Sequence, residues 1–150
     1  MAESTLLKSS IAKKVAMALS GLFLISFLSL HFFINFISVI DETTFNEFSH
    51  FMGNNGLIQY VMQPVLILGV VFHFVMGFVL ELKNRSARPI AYAKYNGSAN
   101  SSWASRNMIV SGLVVLAFLG VHFYDFWIPE MVYKYVDVNP IDETRYFGEM

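Results

Sequence analysis

The chain has 150 residues, of which 55% are hydrophobic and only 14% charged, with a formal net charge of −1. Soluble domains carry far more charge, so this composition places the chain among polytopic membrane proteins, as one domain. Nothing basic and aromatic-rich suggests nucleic acid as a partner, and with no cysteine any metal or haem must be held by His or Met.

Residues 1–14 are polar and basic (Lys8, Lys13, Lys14) and read as an amphipathic start at the membrane surface. The following run, 15–40, holds twenty-six residues without a formal charge. At about 1.5 Å per residue it reaches roughly 39 Å, more than the ~30 Å hydrocarbon core of a bilayer. It is too long for a signal-peptide core and lacks a small-residue cleavage site, so it is expected to be a retained first span. Residues 41–56 are acidic and turn-rich, with Asn54-Asn55-Gly56 as a loop signal. A second span is expected over 57–81, kinked rather than broken at Pro64.

Residues 82–102 form a basic loop (Lys83, Arg85, Arg88, Lys94), with Arg106 just beyond it. By the positive-inside rule this loop and the N-terminus are cytoplasmic, and the acidic 41–56 loop lies outside. A third span is expected over 103–128, closed by Pro129, with 129–150 as an outer-side segment. The expected architecture is all-α, a polytopic transmembrane helix bundle.

An internal repeat ties the first span to the third. Met17, Ser20, Gly21, Leu22, Phe27, Leu28, His31 and Phe32 match Met108, Ser111, Gly112, Leu113, Phe118, Leu119, His122 and Phe123 at a constant offset of ninety-one. Each span also carries one histidine: His31, His73 and His122. An intramembrane ionisable residue is rare and usually faces the bundle interior. Counting from Lys14 and Arg106, His31 and His122 both lie about 25 Å from the cytoplasmic end, and counting from Lys83, His73 lies about 15 Å from it. Two level histidines on parallel helices can ligate opposite faces of one haem iron, a six-coordinate site suited to electron transfer. His73 sits a layer deeper and has no partner at its depth.

Several other residues admit two readings. Gly21, Gly112, Gly120, and Gly69 and Gly77 at i−4 and i+4 of His73, either make room for a haem plane or simply let membrane helices pack closely. Ser20 and Ser111 either back-bond to the i−4 carbonyl or contact haem propionates. His50 in the outer loop is either an interfacial residue or near a quinone headgroup, and Asp125 suits a snorkelling role. No nucleophile-base pair, phosphate loop or metal-carboxylate cluster is evident.

Three stretches, KKVAMALSGLFLISFLSLHFF, FHFVMGFVLELKNRSARPIAY and MIVSGLVVLAFLGVHFYDFW, together resemble the cytochrome b558 membrane-anchor subunit of succinate:quinone oxidoreductases (succinate dehydrogenase or fumarate reductase), of the single-anchor, two-haem type. The similarity covers about residues 10–130. It implies five spans, three of them here, in a chain truncated at its C-terminal side, and two b haems stacked across a bacterial cytoplasmic (inner) membrane. The distal haem would take His31 and His122 as axial ligands, and the proximal haem His73 with a partner on a missing helix.

The resemblance further implies an anchor that is not itself catalytic for dicarboxylates. It would bind a flavoprotein and an iron-sulfur subunit on the cytoplasmic side and pass electrons between them and a quinone, usually menaquinone. The glutamate that some members place at the quinone site has no clear counterpart, because the corresponding place falls near Met52 and Gly53. Glu42, Glu47 and His50 are nearby polar candidates. The alternatives are a cytochrome b anchor of another quinone-linked dehydrogenase, and a haem-free scaffold or transporter fragment whose histidines hydrogen-bond between helices.

Overall fold

A computed structural model of the chain describes residues 9–87, 96–99, 101–140, 142 and 144–148. All regular structure among them is helical, and three helices are long and apolar enough to cross a membrane: Ser10–Ile37, Ile58–Ser86 and Met108–Val136. Their large apolar side chains point outward, with Leu22, Phe33, Leu68 and Phe118 all more than 60% exposed. A surface of that kind is stable only against lipid or other spans, so the chain is a multi-pass membrane protein. Lys8, Arg88 and Lys94 lie outside the described residues.

Helix α1 (Ser10–Ile37) begins five residues before the expected edge of the first span. Lys13 and Lys14 can stay in its first turns because their long side chains carry the charge out to the interface. It ends before Val39 and Ile40, because the Ser38 hydroxyl donates to Asn35 O at 2.6 Å and competes with continued helix.

Residues 41–56 are not a plain loop, as their acidic, turn-rich composition suggested. Glu42–Asn54 form a second helix, α2. Its signal was in the sequence: Asp41 stands extended (φ −152°, ψ 114°) and its carboxylate accepts from Thr44 N–H at 2.7 Å, an N-cap. Phe45, Phe48 and Phe51 then recur every three residues.

Asn55 breaks the chain once, and its side-chain carbonyl accepts from Leu57 and Ile58 N–H at 3.0 and 3.3 Å to cap the next helix. That helix, α3 (Ile58–Ser86), opens with a π turn at Ile58–Met62 and passes through Pro64 without a break. After it come a 3₁₀ turn, Gly97–Ala99, and a short helix α4 (Trp103–Arg106) capped by Ser102. Asn107 (φ −116°, ψ 26°) interrupts the helix, so the third span starts at Met108 rather than 103.

This span, α5 (Met108–Val136), does not stop at Pro129 as the sequence suggested. A π turn at Phe123–Trp127 precedes the proline, with the Ile128 N–H bonded to Phe123 O. The arrangement in α3 is the same: a five-residue π turn, one residue (Gln63, whose N–H bonds to Ile58 O), then proline. Proline lacks an N–H and its ring crowds the carbonyl four residues back. Moving the bonding pattern to i→i−5 just before the ring relieves that conflict and keeps the helix closed. Beyond Pro129, Glu130 and Lys134 pair at 2.5 Å. Two residues past the helix end at Val136, Val138 takes a left-handed conformation (φ 50°) that a β-branched residue rarely adopts.

The chain divides into two compact units, one comprising the residues up to Met76 together with the segment from Asp142, the other Gly77–Ile141. In the first, a terminal helix α6 (Arg145–Gly148) docks on α2. Phe147 N–H donates to Asn46 Oδ1 at 2.9 Å, the Asn54 amide donates to the Tyr146 hydroxyl at 3.1 Å, and Phe45 meets Phe147 edge-on at 6.4 Å. Phe45 and Asn46 are the buried residues among those described.

The Thr44 contact holds the Asp41 carboxyl below its usual range, so the cap it provides is complete above about pH 4 and fades as pH falls through the lowered value. The Thr44 amide resonance should therefore titrate with a midpoint below that of an ordinary aspartate, and Asp41→Asn should keep α2 while abolishing the titration. Relief of the left-handed strain makes Val138→Gly stabilising by about 1 kcal/mol, read from unfolding in detergent.

Candidate functional site

The repeat at offset ninety-one is also a repeat of geometry. The Ser20 hydroxyl reaches Met17 O at 3.0 Å, and the Ser111 hydroxyl reaches Met108 O at 3.0 Å. These are back-bonds to i−3, one residue nearer than the i−4 expected. Phe27 stacks on His31 with ring centroids 5.6 Å apart and 17° between planes. Phe118 stacks on His122 at 5.7 Å and 16°. Each imidazole thus lies on the aromatic ring one turn before it, and both are half-buried. The next turns differ: the Asn35 amide donates to His31 O at 2.7 Å, whereas Phe126 lies 5.2 Å from the His122 ring.

His73 is placed differently, within the first unit. Its Nδ1 lies 2.8 Å from the Ser20 hydroxyl on α1, and its Cε1 would stand 3.3 Å from a Cβ built at Gly21. One turn before it on α3, a Cβ at Gly69 would lie 3.1 Å from the Phe23 ring and 3.8 Å from Leu24. The two spans therefore cross where glycine faces an aromatic or imidazole ring on each side, the close approach that small residues permit. Ser20 is eleven residues before His31 on the same helix, so His73 sits about 16 Å along α1 from His31. The two imidazoles occupy separate layers of this unit.

The structure thus brings together Ser20, Gly21, Gly69 and His73. It leaves Gly112 and Gly120 in open space, where an added Cβ would meet nothing within 4 Å among the described residues. Gly77 opens the second unit. Glu42 and Glu47 are exposed on α2, and His50 is half-buried there, its carbonyl accepting from the Asn54 amide at 3.0 Å. Phe23, opposite Gly69, and Asn35, below His31, were not singled out in the sequence. An amide four residues after a histidine in an apolar run was the available signal for Asn35.

Among the described residues no three or more His, Cys, Asp or Glu side chains converge as they would for a bare metal ion. A haem iron asks for less, because its porphyrin supplies four nitrogens and the protein one or two axial ligands. Half-buried imidazoles, one on each span, suit that demand. No family model, curated protein or solved structure matches the chain.

The crossing of α1 and α3 gives a direct expectation. Gly69→Leu and Gly21→Leu should each destabilise the first unit by about 1–3 kcal/mol through overpacking, and Gly112→Ala should be neutral. Unfolding of the purified variants in mixed micelles measures the difference.

Proposed function

We propose that the chain is a haem b-containing membrane-anchor subunit of a succinate:quinone oxidoreductase. The observation that carries this reading is the repeated histidine setting. Two spans present His31 and His122 on the same aromatic stack with the same serine back-bond three turns earlier. Duplicated imidazoles, one on each span, would hold haem iron as His31 and His122. His73, held in another layer, would serve a second haem with an imidazole from a further helix. A bis-imidazole haem supplies one-electron transfer without an open position for oxygen.

In this reading the N-terminus and the basic 82–102 segment face the cytoplasm of a bacterial inner membrane and meet the flavoprotein and iron-sulfur subunits. Menaquinone would be the membrane substrate, with Glu42, Glu47 and His50 the polar groups to test for its headgroup. The chain's own residues fix the imidazoles. Phe27 and Phe118 limit ring rotation, and the lipid-facing Leu, Val and Phe side chains keep water from the ligating nitrogens.

A second reading, a haem-free scaffold, is favoured by one observation: the Ser20–His73 contact is an interhelical hydrogen bond of the kind such a protein would use. A reduced-minus-oxidised spectrum of the membrane-expressed chain, with haem quantified per polypeptide, separates the two. The anchor reading expects a low-spin b-type signal, lost in His31→Ala and in His122→Ala and kept in His73→Ala. A folded product that includes the further helices, holds no haem and inserts normally as His31→Ala selects the scaffold.

A further inference from the structure

The contact between Ser20 and His73 carries more than packing. The serine oxygen has two neighbours, His73 Nδ1 at 2.8 Å and Met17 O at 3.0 Å, and the hydroxyl has one proton to give. If it gives that proton to Nδ1, two lone-pair oxygens are left facing each other across the 3.0 Å contact with Met17. If it gives the proton to Met17 O, its lone pair accepts Nδ1–H, and both short contacts become hydrogen bonds in one chain: Nδ1–H to Oγ, Oγ–H to the carbonyl. In a medium without water the arrangement that satisfies both contacts is the stable one, and hydrogen bonds in series polarise one another.

We infer that Ser20 is the positioning residue of His73, holding it as the Nδ1–H tautomer so that Nε2 presents the ring's only lone pair. Three features support this. Ser20 is the one residue among those described that hydrogen-bonds the His73 ring. Gly21, next to Ser20, leaves room for the same edge of the ring, since a Cβ built there would stand 3.3 Å from Cε1. A metal-ligating histidine needs such a partner on its other nitrogen, because that bond sets the tautomer and raises the basicity of the ligating atom. The functional side of the inference rests on the haem-anchor reading; the tautomer itself does not.

The test uses the full chain with ¹⁵N-labelled histidine in detergent micelles, without added haem. The His73 nitrogens, assigned by their loss in His73→Gln, should show a single Nδ1–H tautomer. Ser20→Ala should convert this to a mixture, Ser20→Thr should restore it, and Ser26→Ala, which removes an exposed hydroxyl bonded to its own helix, should change nothing. Added haemin then reads the ligating role. Loss of the positioning bond should weaken its binding by roughly 10–100-fold in Ser20→Ala, with Ser20→Thr close to the parent.

An Nε2–H ring in the parent chain, or a tautomer unmoved by Ser20→Ala, overturns the inference. A locked tautomer together with haemin binding that ignores both Ser20→Ala and His73→Gln leaves Ser20 as the positioning residue of a structural histidine. That outcome removes His73 from the haem-anchor reading.

Discussion

An imidazole inside a bilayer has no water to bond, and every polar atom it carries must be answered by protein. That constraint accounts for the best-defined part of the first unit. His73 reaches across to Ser20, where Gly21 leaves room for its ring edge and Gly69 lets Phe23 come close from the other side. One hydrogen bond and two glycines thereby set the register of the first span against the second. A shift of either helix by one residue would put a side chain where the ring now lies and leave a half-buried nitrogen without this partner.

His31 and His122 each have an aromatic neighbour along their own helix. Each lies flat on a phenylalanine of its own helix, and the phenylalanine belongs to the repeat together with the histidine. This stacking is local and duplicated, whereas the Ser20 contact of His73 depends on a neighbouring span.

The repeat and the three spans were legible because they rest on patterns within the chain: long uncharged runs and identities at a constant spacing. Helix α2 was misread for a reason that composition hides. Its acidic and small residues look like loop, yet Asp41 caps Thr44 and three phenylalanines recur at helical spacing. Pro129 was read as a stop because proline costs an α-helix a hydrogen bond and a clash; the π turn before it avoids both.

At the candidate site, the serine-glycine pair was noticed for haem surroundings, and its actual partner, fifty-three residues away, was not. Pairing between helices depends on rotation about each axis, which no spacing within one helix records. The docking of Tyr146 and Phe147 on α2 was invisible for the same reason.

The π turns at Ile58–Met62 and Phe123–Trp127, with a further one at Val132–Val136, also change how the spans are to be read as wheels. A turn that closes on the fifth residue instead of the fourth holds one residue more than the helix around it, and one residue is about 100° of azimuth. Projections drawn at 3.6 residues per turn from Met108 therefore lose phase after Trp127, and those drawn backwards from Ser86 lose it before Gln63. His73 and His122 fall on the unshifted side of the π turns in their spans and His31 lies in an uninterrupted α-helix, so their faces can be compared by simple counting. For Pro129, Glu130 and Lys134 the same arithmetic assigns the wrong side of the helix.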